Sequence, residues 1–168
     1  MSYSIYEASA PVYTRMLGNL QAWLDKGAAH AEARKFDVAV LLGARLAPDM
    51  LPLTRQIHIA SDAAKGGISR LAGVDVPSWP DTETTLPELK ARIARTIDYV
   101  NGFTPAQLEG AEARAISVPR RDGEPLRFTG AEFLRQWSLP NFFFHVTTAY
   151  AILRHNGVEL GKADFLGR

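Results

Sequence analysis

The chain has 168 residues, 46% of them hydrophobic and 22% charged, with a formal net charge of +1 and no cysteine. That length suits one domain with a full core, residues 1–168, and the composition excludes disordered and collagen-like classes. Near-neutral charge excludes an electrostatic footprint for nucleic acid or anionic membrane, and the lack of cysteine excludes disulfides, thiolate nucleophiles and cysteine-type zinc sites. No run of about 18 apolar residues exists to cross a bilayer. The opening MSYSIYEASAP lacks the basic-then-apolar order of a signal peptide, so a cytoplasmic protein is expected.

Residues 7–34 are expected to form the first helix, with Val12, Met16, Leu20, Trp23 and Leu24 at helical spacing. Pro11 is expected in an early turn or at a local irregularity. Asp37 can cap a short helix through Val38 to Leu42. The second long helix is expected over Met50 to Leu71, with Asp49 as N-cap and Pro52 in the first turn. Gly73 ends it. The segment VDVPSWPDTE, with two prolines, reads as a surface loop whose Trp79 covers an end of the core.

Thr85-Leu-Pro-Glu88 has capping-box spacing and opens the third helix, with Leu86, Leu89, Ile93, Ile97 and Val100 on one side and Gly102 as its stop. Thr104-Pro-Ala-Gln107 repeats that logic for one short turn. Ala115 to Val118 and Leu126 to Phe128 then flank PRRDGEP, a small hairpin around Asp122-Gly123 in which Arg120 and Arg121 belong to a solvated turn. Thr129-Gly-Ala-Glu132 is another capping box and starts the last helix. Pro140 lies inside that helix and is expected to bend it. Asn156-Gly157 stops it, and the tail folds back through Val158, Leu160 and Phe165. Four long helices with a hairpin between the third and fourth make an all-α, antiparallel four-helix bundle.

Chemistry in such a bundle is built from side chains on facing helices. His30 is expected to be exposed, and His155 to serve at a helix C-terminus. His58 and His145 lie mid-helix among small or apolar neighbours. Asn141 shares a face with His145, as does Thr148, and Asp62 stands four residues after His58, placed to accept the proton of its non-ligating nitrogen. Two readings stay open from spacing alone. His58, Asn141 and His145 point into one polar pocket, or the two histidines are core residues hydrogen-bonded to Asp62, Thr148 or backbone.

In YEASAPVYTRMLGNL, RLAPDMLPLTRQIHIASDAAKG and LPNFFFHVTTAYAILRHNGVELGKADFLG, which together span nearly the whole chain, the sequence resembles the DinB/YfiT-like superfamily. The resemblance is to a branch known only as a domain of unknown function. It implies a bundle that is commonly a homodimer, with a divalent metal such as zinc or nickel on three histidines. One histidine comes from helix two and two from an H-x-x-x-H on helix four. Members with an activity are mostly thiol-dependent transferases or isomerases, in which the metal stabilises a thiolate. Carried over, His58 resembles the helix-two ligand and His145 the second histidine of the motif. Asn141 stands where the first is expected. A neutral amide is a weak ligand, so the metal pocket is degenerate or weak. The expectation is a small-molecule-binding bundle; the alternatives are a metal-dependent thiol transferase and a structural, dimerising bundle. No nucleic-acid or membrane partner is expected.

Overall fold

The computed structural model describes residues 4–120 and 122–168; Arg121, named above with Arg120, lies outside them. Helix α1 spans Ile5–Arg34, two residues earlier than expected at its start. Ser4 and Glu7 cap it reciprocally, Ser4 Oγ accepting from Glu7 N at 3.1 Å. Pro11 falls within the helix beyond its first turn, where it is exposed, so the carbonyl it leaves unpaired is open to water. Helix α2, Ala39–Gly43, follows with Asp37 Oδ1 accepting from Ala39 N at 2.8 Å.

Helix α3 spans Leu53–Ala72, and its N-cap is Pro52 rather than Asp49. Proline disfavours the helical region for the residue before it, so Leu51 cannot continue a helix begun at Met50. Leu51 instead offers its carbonyl to the Gln56 side chain at 2.9 Å. Gly73, at φ 72°, gives the left-handed cap that the helix end requires. Helix α4, Leu86–Asn101, starts at the expected Thr85–Glu88 box and ends at Gly102. Short 3₁₀ turns at Pro105–Leu108 and Ala111–Ala113 lead into strands β1, Ala115–Val118, and β2, Leu126–Thr129. The strands pair antiparallel, with Ile116 opposite Phe128.

The last helical run is three elements end to end. Helix α5, Gly130–Glu132, opens on the Thr129–Glu132 capping box. A π-helical stretch, Phe133–Ser138, follows, and helix α6 completes the run over Leu139–His155. Leu139 N donates to Leu134 O, five residues back. The expected irregularity at Pro140 is therefore a local widening just before the proline, where the helix is already out of α register. The tail carries α7, Lys162–Leu166; Phe165 stacks on Trp23 with ring centroids 5.5 Å apart, and Trp23 Nε1 donates to Asp164 O at 3.1 Å.

The bundle is the ring α1–α4–α3–α6, with α3 packed most extensively on α6. Tyr13, Leu17, Leu20, Ile57, Ile68, Ile93, Phe142 and Val146 are all fully buried between them. Among the described residues no helix is long and apolar enough to cross a membrane.

Candidate functional site

The polar chemistry of the bundle falls into two regions along α3 that share Asp62. The first joins α3 to α4 and to the 74–85 segment. Arg92, its side chain 1% exposed, reaches Asp62 Oδ1 at 3.0 Å, Asp81 Oδ1 at 2.8 Å, Glu83 Oε2 at 3.0 Å and Pro80 O at 3.1 Å. Arg55 also pairs with Asp81, and Lys65 with Asp62 at 2.8 Å. Trp79 is half-buried, with Lys65 Nζ 4.4 Å and Arg95 Cζ 4.0 Å from its ring centroid and Tyr99 edge-on to it. It therefore closes the strap over α3 and α4, as cation–π contacts allow.

His58 belongs to this region. Arg55 donates to His58 Nδ1 at 3.3 Å, so Nδ1 carries the lone pair and Nε2 the proton. Nε2 lies 3.2 Å from Glu83 Oε2 but is not aligned for a hydrogen bond, and it is left buried without such a partner. Burial lowers the His58 pKa; Asp81 and Glu83 act to raise it and Arg92 and Arg55 to lower it. Asp62, expected to support His58, turns its Oδ1 to Arg92 and Lys65 instead. Two full cations outcompete a neutral imidazole for one carboxylate oxygen.

The second region lies where α3 meets the π stretch and α6. A cleft of about 180 Å³ opens there. Its polar lining is Asp62, Arg70, Ser138 and Asn141; Ile59, Phe133 and Trp137 supply apolar walls. Gly67 forms part of the same surface, and a Cβ on it would lie 2.5 Å from Tyr13 Oη and 2.6 Å from Ser138 Oγ. The missing side chain admits the buried Tyr13–Ser138 hydrogen bond of 2.7 Å. Burial pushes the Tyr13 phenol pKa well up, so it stays protonated.

His145 stands one turn beyond Asn141 on the same helix face. Its Nδ1 is 2.7 Å from Gln56 Oε1. Because Gln56 Nε2 donates to Leu51 O, its Oε1 is the acceptor, so His145 Nδ1 holds the proton and Nε2 the lone pair. Burial lowers the His145 pKa. Thr148 donates back to Phe144 O at 2.7 Å rather than to His145.

Asn141 and Asp62 thus share a cleft, His145 lies next to it on α6, and His58 is engaged with Arg55 and Glu83. Among the described residues no group of three His, Asp or Glu side chains is arranged to hold a metal ion. Among the polar residues that sequence reasoning passed over are Gln56, Arg70 and Arg92. A signal existed for two of them. Gln56 falls three residues after Leu53 and four before Ala60, and Arg92 three after Leu89, so each interrupts a buried stripe. The other histidines have local roles. His30 is half-buried and edge-on to Phe36, against the expected exposure, and His155 is exposed while Asn156 caps α6 through Ile152 O.

No curated protein matches the chain. A solved structure of a DinB family member protein from Shewanella denitrificans is 48% identical, with a TM-score of 0.90 over 98% of this chain and 92% of its own. Residues 5–166 match the family described as Domain of unknown function (DUF1993). The chain therefore belongs to the DUF1993 family and carries its four helices in the DinB-like fold.

Proposed function

We propose that the protein is a small-molecule-binding bundle whose binding site is the cleft between α3, the π stretch and α6, and that it holds divalent metal only weakly. The observation that carries this is the cleft itself, where four polar side chains meet four apolar ones, Ala63 being the fourth. Small-ligand sites are built that way, and π-helical turns are frequent at functional sites. Asn141 has no side-chain hydrogen-bond partner among the described residues, so its amide is available to a ligand. The donors fit a resident zinc or nickel poorly. His145 Nε2 is presented by the Gln56 contact in the manner of a metal-ligating histidine, but its neighbour is a neutral amide and His58 faces the strap.

An amide-resolved NMR screen with small carboxylic acids, amides and amines tests the site. Shifts are expected to cluster on Asp62, Ser138, Asn141 and the Trp137 indole. Shifts confined to the strap, or none from any probe, would contradict it.

A second reading concerns the opposite edge of α6. Phe142 is fully buried, Phe143 partly so, and Phe144 is 56% exposed beside Leu46, Thr147 and Ala151. We propose that this apolar face pairs two copies of the chain. Sedimentation is expected to show a dimer that Phe144→Glu converts to monomer; a monomeric wild type at high concentration would remove the reading.

A further inference from the structure

We propose that the ligand of this cleft carries an oxyacid anion, a carboxylate or a phosphate, and that Arg70 binds it; the proposal rests on the cleft being the ligand site. Arg70 is half-buried at one end of the cleft. Among the described residues its guanidinium makes one hydrogen bond, to Gly66 O of its own helix at 3.1 Å. No carboxylate of the described residues lies within ion-pair distance of it. The contrast with Arg92 is direct: that guanidinium, buried further, meets three carboxylates. A half-buried guanidinium with no carboxylate beside it among the described residues can take up an anionic ligand.

The backbone is arranged around this side chain. A Cβ at position 66 would lie 2.6 Å from an Arg70 terminal nitrogen, so Gly66 lets the guanidinium lie back along α3. Gly66 and Gly67 are consecutive glycines in a helix interior, each costing about 1 kcal/mol against alanine. One admits the Arg70 guanidinium and the other the Tyr13–Ser138 pair. The opposite end of the cleft does not repel an anion. Among the described residues Asp62 is the only carboxylate lining it, and it is already paired with Arg92 and Lys65. Asn141 can donate from its amide, and a planar guanidinium presents paired N–H groups that match two oxygens of a carboxylate or phosphate. A cleft of about 180 Å³ suits an acid of a few carbons or a small phosphate ester rather than a nucleotide or peptide.

The test uses three probes at low ionic strength: butyrate, its uncharged isostere butyramide, and inorganic phosphate. Binding is read by the Trp137 indole and Asn141 side-chain NMR signals in wild type, Arg70→Gln and Arg70→Lys, with thermal melts to confirm folding. At least one anion is expected to bind about tenfold or more tightly than butyramide, a difference of about 1.4 kcal/mol. Arg70→Gln is expected to abolish that preference while leaving butyramide unchanged, and Arg70→Lys to restore part of it. Whichever anion shows the preference identifies the ligand group. Equal binding of butyrate, phosphate and butyramide, or an anion preference that survives in a folded Arg70→Gln, overturns the role of Arg70 and leaves the cleft standing. Failure of all three probes to perturb the cleft signals overturns both.

Discussion

His58 and His145 are buried imidazoles held in opposite tautomers, one with its proton on Nε2 facing Glu83, the other with its proton on Nδ1 facing Gln56. Burial lowers both pKa values below the ordinary histidine value of about 6.5. The unfolded chain therefore takes up protons on these residues before the folded chain does, and folding stability falls as pH drops from about 6.5 toward the lowered values. Above that window the two histidines contribute no pH dependence. Urea unfolding followed from pH 7.5 to 5 is expected to show this acid-side loss, and a folded His58→Gln, His145→Gln double variant to show a shallower one. An identical slope in the two proteins would contradict the assignment. The sequence places both histidines mid-helix, which is as far as spacing reaches. Their partners were not legible, because Asp62 chooses between His58 and two cations only once α4 brings Arg92 alongside.

At the scale of elements, the caps and stops were the most readable features, since each is local chemistry. Thr85–Glu88, Thr104–Gln107 and Thr129–Glu132 all form the boxes their spacing announces. The π stretch was legible only as a disturbance near Pro140, because its exact register depends on how Trp137 and Ser138 pack against α1 and the hairpin. Gly67→Ala tests that packing. The new methyl would clash with Tyr13 Oη and Ser138 Oγ, both buried, and the expected loss is about 1–3 kcal/mol of stability by chemical denaturation. A neutral effect would show that α3 and the π stretch are not tightly joined there. Arg92→Leu tests the strap. It leaves Asp62, Asp81 and Glu83 without their common cation, while Lys65 and Arg55 still hold two of these partly exposed carboxylates, so a loss of about 1–3 kcal/mol and increased proteolysis within 74–85 are expected. An unchanged melt would mean that water already screens these carboxylates.

For the whole molecule, the all-α bundle was legible because four amphipathic stripes have one economical way to bury their apolar faces. The pairing of those faces was not. Sequence spacing left open whether His58 and His145 share one pocket; in the fold α3 presents Gln56 to His145 and turns His58 to the strap. The cleft became visible only when Asp62, Arg70, Ser138 and Asn141, which span 80 positions from Asp62 to Asn141 in the chain, met across α3, the π stretch and α6.

Calorimetric titration with nickel tests this account most directly, using wild type, His58→Ala, Asn141→His, and Asn141→His combined with His145→Ala. Asn141→His places two imidazoles four residues apart on one helix face, a proven metal-ligating spacing. Wild type is expected to bind nickel weakly, and His58→Ala to bind as wild type does. Asn141→His is expected to tighten binding about tenfold or more, and the added His145→Ala to remove the gain. Tight, stoichiometric nickel binding by wild type that His58→Ala abolishes would contradict the account, because His58 would then share a working metal site with His145.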